Sequence, residues 1–563
     1  MSGANLDTDV LVAGAGPTGL TLAGELLRRG LRVRVIDQSE APTTLSKAIA
    51  VHARTLEIAA DLGVADQLLA RGVKLVGATL WSKTEELAKV DFAGLETPYP
   101  FVLSISQAET EGVLTRLLES RGGKVERDTK LVRLREEDGV VHADLVNLKT
   151  EATETVRARW LVGCDGAHSI VRKSIGASFE GHPYEDTFVL ADVKIDWDVA
   201  PDRVTTFFAE DGIAAFFPML GDRWRVVASA PPGLAAGEEP TLAALEASIA
   251  ERAGTPAPMS DCAWLTTFRI HCRQVDRYRK GHVFLAGDAA HIHSPAGGQG
   301  MNTGMQDAHN LAWKLALVHQ GKGRDVLLDS YAIERHAVGA ALLRSTDIGT
   351  KLGTIKSPTL IGVRNHLAKF LTGFDPVRRK IVESLSELSV AYEYSPINSE
   401  HTSPLLAARI GETADGETPT VGTRLAFQTG PAAGARAPDG TVRRGDETVR
   451  LSSLWGGTRF TLLLFDGRSS SADGYEDFEQ IAKKTRARWG DRVAVFVVTP
   501  QKERPAQLSA DITVLHDDDS ELEQRYAART ECLFLIRPDL YVGFRSQPAD
   551  GPELAAYLDT LLV

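Results

Sequence analysis

Three short apolar runs in this chain each stop at an acid. Val33, Val35 and Ile36 end in Asp37; "RWLVGCDG" ends in Asp165 and Gly166; "HVFLAGD" ends in Gly287 and Asp288. A fourth run, Val10 to Ala13, opens directly into a glycine-rich turn. Val10 to Ala13 is apolar without alternation. Such strands belong in a parallel sheet covered on both faces. "TDVLVAGAGPTGLTLAGELLRRGLRVRVIDQ" therefore predicts strand, tight turn, helix (about Thr18 to Arg29) and strand. The expected class is α/β, with three acid-tipped strands meeting at the carboxyl edge of one sheet. Ligands of open α/β sheets bind at that edge.

Between Gly181 and about Thr267 the pattern changes. "VTTFFAEDGIAAFFPMLGDRWRVVAS" alternates and breaks at EDG and GD, which predicts antiparallel hairpins. "VKLVGATLWSKTEELAKVDF" has the same character, so the stretch from about 73 to 105 is a candidate to pair with them. One face of this separate sheet is expected to line a substrate cavity, with Phe207, Phe208, Phe216, Phe217 and Pro218 as candidate lining. Side chains alternate faces along a strand, so about half of these should be ordinary core. From Val338 to about Ser395 the chain reads as helical, interrupted at Pro358 and Pro376. After Ile397 the composition turns loop-like. The last segment then runs strand "RFTLLLF", helix, strands "RVAVFVV" and "DITVLHD", helix, strands "CLFLIRPD" and "YVGFRS", and helix. That order resembles thioredoxin. The loop "DGRSSSADG" after its first strand has no cysteine, so disulfide chemistry is excluded there.

Composition narrows the classes. With 563 residues the chain exceeds one core, and its 43% hydrophobic and 25% charged residues are ordinary for a soluble globular protein. A net charge of -12 without any basic block argues against nucleic acid or an anionic membrane as partner. Cys164, Cys262, Cys272 and Cys532 form no CxxC pair, and no signal core or transmembrane-length run is present, so a cytoplasmic location is expected.

Gly14, Gly16 and Gly19 form GxGxxG between a strand and a helix, with Pro17 and Thr18 inside the turn. The first glycine permits the turn, the second lets backbone approach a pyrophosphate, and the third lets helix and strand pack. Asp37, with Gln38 beside it, stands where a carboxylate accepts from ribose hydroxyls. A bound FAD or NAD is expected. A nicotinamide dinucleotide needs only the first strand end; a long cofactor with a ribityl chain and a flat tricycle would use all three, which points to FAD.

GAGPTG, GCDGAHSIVR and GDAAHIHSPAGGQGMNTGMQDAHNLAWKL resemble the three fingerprints of the flavoprotein aromatic hydroxylases, the single-component FAD monooxygenases of the p-hydroxybenzoate hydroxylase and phenol hydroxylase type, which include polyketide hydroxylases. The resemblance spans about Asp9 to Arg335. It implies a Rossmann-like FAD-binding domain (1–180 and 269–400), an inserted antiparallel-sheet substrate domain (181–268) and a redox-inactive thioredoxin-like domain (401–563). It implies that Asp37 binds the adenosine ribose and that Gln107 hydrogen-bonds FAD. Asp165, with Gly166, belongs to a motif associated with FAD and NAD(P)H. Asp288, after Gly287, would hold the ribityl hydroxyls, and the backbone from Pro295 to Asn302, with Gly298, Gly300 and Met301, would cradle the flavin ring. Lys47 stands where the family usually has arginine, and a lysine loses bidentate geometry.

The implied reaction is hydroxylation of a small phenolic or aromatic substrate through a flavin hydroperoxide, using O2 and transiently docked NADPH or NADH. Baeyer–Villiger or other oxidative chemistry on an aromatic polyketide, and a non-catalytic FAD scaffold, stay open; the WxWxIP signature of flavin halogenases is absent. Candidate bases are His52, Arg225 and His293. His291 and His293 lack a completing ligand set, so no metal is expected, and Trp313 reads as core packing. A homodimer is a further expectation.

Overall fold

The acid-tipped strands lie side by side. Val283–Leu285, Thr153–Gly163, Thr8–Ala13 and Val33–Ile36 are consecutive parallel neighbours, followed by Val125–Glu126. Asp288, Asp165 and Asp37 thus leave the same edge of one sheet. Val10, Leu11 and Val12 are 0% exposed, as expected of a central parallel strand. This arrangement comes from a computed structural model, which describes residues 6–44, 48–231, 234, 238–294, 297–353, 355, 361–366, 374–402, 426–455, 457–467 and 474–563. The chain forms two compact units, residues 1–309 with 335–388, and residues 310–334 with 389–563. No described helix is long and apolar enough to cross a membrane.

The first unit holds a second eight-stranded sheet in the order His291–Ile292, Met259–Val275, Phe179–Ile195, Arg223–Ser229, Gly212–Met219, Arg203–Ala209, Gly77–Ser82, Glu85–Asp91. The stretch from 73 to 105 divides between two sheets. Gly77–Ser82 and Glu85–Asp91 join this one, whereas Val73–Leu75 and Val102–Ser104 pair in a small sheet with Ala50–Val51. The helix Leu242–Ala253 covers one face of the large sheet, burying Leu245 and Ile249 against Val193, Phe207, Phe216 and Trp224. The glycine-rich stretch leads into the helix Gly300–His319, and Val326–Gly353 and Asp375–Leu385 supply the later helices. Pro376 begins the last of these, where its missing N–H costs nothing; Pro358 lies outside the described residues.

The second unit carries the sheet Ser399–Thr402, Val542–Gln547, Cys532–Ile536, Phe460–Phe465, Val493–Thr499, Thr513–His516, Thr441–Arg444, Glu447–Arg450. Phe460–Phe465, Val493–Thr499 and Thr513–His516 are parallel, and Cys532–Ile536 and Val542–Gln547 follow antiparallel. The hairpin Thr441–Arg450 was not expected from the sequence. Trp313 is core, edge-on to Phe460 at 5.6 Å. Beneath it lies a fully buried ionic cluster. Glu334 accepts from Lys314 Nζ at 2.6 Å and from Arg537 at 2.7 and 3.0 Å, while Asp539 accepts from Arg537 at 2.6 Å and from Asn310 at 3.0 Å. Burial opposes the charge on Glu334, but Arg537 and Lys314 hold its carboxyl well below the usual range. Burial pulls Lys314 down to about 8.

Candidate active site

The turn after the first strand is built on contact between backbones. Gly14 has φ +103°, and a Cβ there would stand 2.2 Å from the Cys164 carbonyl oxygen. A Cβ on Gly19 would stand 2.0 Å from the Gly14 oxygen, so the helix Pro17–Arg28 sits directly on the turn. Its N-cap, Gly16, offers no side-chain acceptor, so the first N–H groups of the helix are left for something else. Thr18 wedges between two later glycines: a Cβ would come within 2.6 Å of its Oγ1 from Gly287 and 2.3 Å from Gly304.

Two cavities of about 450 Å³ each open on this turn, and Gly16, Cys164 and Gly166 line both. The first contains Gly14, Asp37, Gln38 and Asp165. The second contains Pro17, Thr18, Gln107, Asp288, His293, Gly298, Gly300 and Met301. Most of the residues expected from the sequence thus line two adjoining cavities, whereas Gly19, Gly287 and Asn302 line neither. Lys47 and Pro295 lie outside the described residues.

The three acids differ in what they already hold. Asp37 accepts from the Ala15 and Ser39 N–H groups, both at 2.8 Å, with Arg127 at 3.7 Å. Asp165 accepts from Ser169 Oγ at 2.5 Å and from the Ile170 N–H at 2.7 Å, so its carboxylate secures the start of the helix Ile170–Ser174. Arg172, on that helix, donates to the carbonyls of Ala167 at 2.7 Å and Ala289 at 3.1 Å, fastening the Asp165 turn to the Asp288 turn. Asp288 is exposed on the cavity wall. Gln107 Nε2 donates to Glu111 at 2.7 Å.

Asn302 lines neither cavity and acts as a brace. Its Oδ1 accepts from the His52 N–H at 2.9 Å, and its Nδ2 donates to the Ala50 and Gly298 carbonyls at 2.8 and 2.9 Å. Sequence reasoning missed the group beneath it. Asp307, fully buried, accepts from the Gly287 N–H at 2.9 Å, from His291 Nε2 at 2.7 Å and from Arg335 Nε at 2.5 Å. Glu387 accepts from Gln306 at 2.6 Å and Thr303 at 3.3 Å, and burial pushes its carboxyl up to about 8 from 4.5. The folded protein therefore keeps a proton there that the unfolded chain releases near pH 4.5, so stability should fall as pH rises from 4.5 to about 8. Glu387→Gln is expected to flatten that decline in thermal unfolding midpoints across the same range.

The apolar wall of the second cavity comes from the second sheet: Leu190, Phe217, Val227 and Phe268, with Ile270, His271 and Arg269 at its margin. Of the five phenylalanine and proline candidates, Phe217 lines the cavity. Phe207, Phe216 and Pro218 correct the expectation. Phe207 and Phe216 point to the opposite face, 5.9 Å apart and packed against Trp197 beneath the covering helix, and Pro218 is buried on the Phe216 side. The alternation that put them in one run separates them by face. Phe208 lies under the Arg364 guanidinium, 4.8 Å from its ring.

Two of the three candidate bases lie off the cavity wall. His52 is buried, with Nε2 at 2.8 Å from the Gly297 oxygen, and burial lowers it to about 4. Arg225 is spent in a bidentate pair with Asp192 at 2.7 Å and a 3.1 Å bond to the Ala48 carbonyl. His293 lines the second cavity. Sequence reasoning gave no sign of Leu190, Val227 or Phe268, because the facing of a strand depends on what covers its other side. Apart from Glu25, Asp61 and His309, already engaged by Arg28 and Arg29, no carboxylate, histidine and cysteine cluster of metal-binding geometry occurs among the described residues.

Comparisons with known proteins agree with this geometry. An FAD binding domain model matches residues 7–346, and an aromatic-ring hydroxylase C-terminal model matches residues 430–562. The chain is 35% identical to 6-methylpretetramide 4-monooxygenase of Streptomyces rimosus, over 98% of this chain and 93% of the relative. It is 32% identical to pentachlorophenol 4-monooxygenase of Sphingobium chlorophenolicum, over 100% and 98%. Among solved structures, the anhydrotetracycline hydroxylase OxyS from Streptomyces rimosus superposes with a TM-score of 0.73 at 30% identity, covering 98% of each chain. This chain belongs to the FAD-dependent aromatic-ring hydroxylases.

Proposed function

We propose that FAD lies stretched through both cavities and that the chain hydroxylates a small phenolic or aromatic substrate at the far end, drawing on NAD(P)H and O2. The observation that carries this reading is the continuity of the groove: Asp37 closes one end, Gly16 bridges the middle, and an apolar sheet wall meets Asp288 and Gly298 at the other. The fit to FAD rests on chemistry visible here. Gly16 has no atom within 4 Å of its Cβ position, leaving room for a pyrophosphate against the uncapped helix start. Asp37 would take the adenosine ribose and Asp288 the ribityl hydroxyls. Gly298, Gly300 and Met301 would lie along the flavin ring, with the N-terminus of Gly300–His319 favouring negative charge there. Bound FAD supplies the redox and oxygen-transfer chemistry. The chain's own residues position the ring, and Leu190, Phe217, Val227 and Phe268 keep water from the reacting face.

Asp288→Ala removes charge-assisted hydrogen bonds of about 1.5–3 kcal/mol. Its FAD dissociation constant should rise roughly tenfold to a hundredfold, read by titrating apoprotein and following flavin fluorescence. Full retention of FAD would discard the ribityl assignment. The function itself is tested with a panel of single-ring phenols and polycyclic hydroxyarenes, scored for NAD(P)H consumption coupled to hydroxylated product rather than to peroxide. Failure of every member to accelerate NAD(P)H oxidation would count against the hydroxylase reading.

The second unit reads as a thioredoxin-like module without redox function. The support is its strand order and the burial of Cys532, whose thiol burial pushes well up. Its role is structural.

A further inference from the structure

His293 is the one of the three candidate bases that reaches the second cavity. Its Nδ1 lies 2.7 Å from the Ser294 carbonyl oxygen. A carbonyl can only accept, so Nδ1 carries the ring proton and Nε2 is left as a lone pair. That Nε2 is buried and has no hydrogen-bond partner among the described residues. It stands 3.3 Å from the Cβ position of Gly300, so any larger residue there would crowd it. Ser294 is itself held, since its Oγ accepts from Thr350 at 2.8 Å. The tautomer is therefore fixed from behind, and a residue that lines the second cavity keeps its acceptor unused. Burial, with His291 nearby, lowers the ring to about 4, so it stays neutral through the physiological range. A buried acceptor without a donor is costly, and a ligand that brings the donor recovers that cost.

Resting on the hydroxylase reading above, we propose that His293 Nε2 accepts the hydrogen bond of the substrate's ring hydroxyl, making this cavity selective for a neutral phenol over its phenolate or its ether. The apolar wall of Leu190, Phe217, Val227 and Phe268 holds the ring, and Nε2 reads the one polar group on it. A phenolate brings no donor and sets a second lone pair against Nε2; an aryl ether does the same without charge. The charged and titratable groups around the site divide. His291 lies two residues before it on the short strand His291–Ile292, Asp288 on the preceding turn, and Arg269 and His271 on the strand Met259–Val275. Arg269 favours an anion, but it is exposed and solvent screens it, while Asp288 opposes one. The buried lone pair decides the preference.

The test uses the FAD-loaded full chain. Phenol, catechol, naphthol and a dihydroxyanthraquinone, each paired with its methyl ether, are titrated against the flavin absorbance from about pH 6 to 10. The hydroxy compound should bind roughly tenfold tighter than its ether. Its apparent Kd should rise about tenfold per pH unit above the ligand's own pKa, the slope for loss of one proton. His293→Phe should bind both members of a pair alike and lose the pH break while keeping FAD. His293→Gln, which retains an acceptor oxygen, should keep part of the preference. Wild-type preference and pH break in His293→Phe would overturn the proposal, and so would loss of FAD in both variants, which would assign His293 to the cofactor. If no compound perturbs the wild-type flavin or accelerates NAD(P)H oxidation, the hydroxylase reading falls first and this one with it.

Discussion

Asp307→Ala is expected to destabilise the first unit by about 3–5 kcal/mol, because it strands a buried cation. Arg335 is 0% exposed and its Nε donates to Asp307 Oδ1, while the other carboxylate oxygen takes His291 Nε2 and the Gly287 N–H. Burial alone would raise this carboxyl; Arg335 and His291 outweigh it and hold it below 3.8. Its contribution is thus fully present above pH 3.8 and is lost as pH falls through the lower folded value. Removing the carboxylate takes this ion pair from the guanidinium and frees the Gly287 N–H beside Asp288, so FAD affinity should drop together with the unfolding midpoint. Asp307→Asn keeps an acceptor for Gly287 without the charge and should fall between. A loss below about 1 kcal/mol, within the range of an ordinary surface change, would show that water or a neighbour replaces the pair.

Gly14→Ala is the second large effect, and Gly16→Ala is its control. At Gly14 the φ of +103° is strained for any side chain, and the new methyl meets the Cys164 carbonyl, a backbone atom that cannot rotate away. Backbone strain and overpacking together amount to about 2–6 kcal/mol. The expected product is an unstable protein that purifies colourless. Gly16 has φ -76° and open space around its Cβ position, so the apo fold should tolerate alanine. That open space is the passage between the two cavities. Gly16→Ala should therefore unfold at the wild-type temperature without FAD and bind FAD far more weakly. Thermal unfolding of both apoproteins, followed by FAD titration, separates the two effects.

The parallel sheet was legible because its information is local. An apolar run, a glycine turn and a closing acid all lie within a few residues, so Asp37, Asp165 and Asp288 could be assigned to one edge. Their division of labour was not legible, since nothing near Asp165 in sequence says that its carboxylate will secure a helix start. The second sheet was recognisable from its alternation, yet its facing was not. Phe216 and Phe217 are equivalent neighbours until the helix Leu242–Ala253 covers one side and sends Phe216 into the core. Nothing beside Asp307, Arg335 or Glu387 in sequence marks the three as neighbours. Only the fold reveals that they meet one another at the helix Gly300–His319, across sequence separations that periodicity cannot span.

The buried cluster around Glu334 has a consequence for anyone exchanging C-terminal modules among these enzymes. Arg537 finds its counter-charge on a segment more than two hundred positions upstream by the numbering, between Asn310 and Glu334. A graft cut after residue 402 would import Arg537 with Asp539 but without Glu334, and a chimera would fail for reasons invisible at the splice. Recombination that respects the architecture has to carry both pieces of chain, so this module is inherited as a discontinuous whole rather than as a detachable tail.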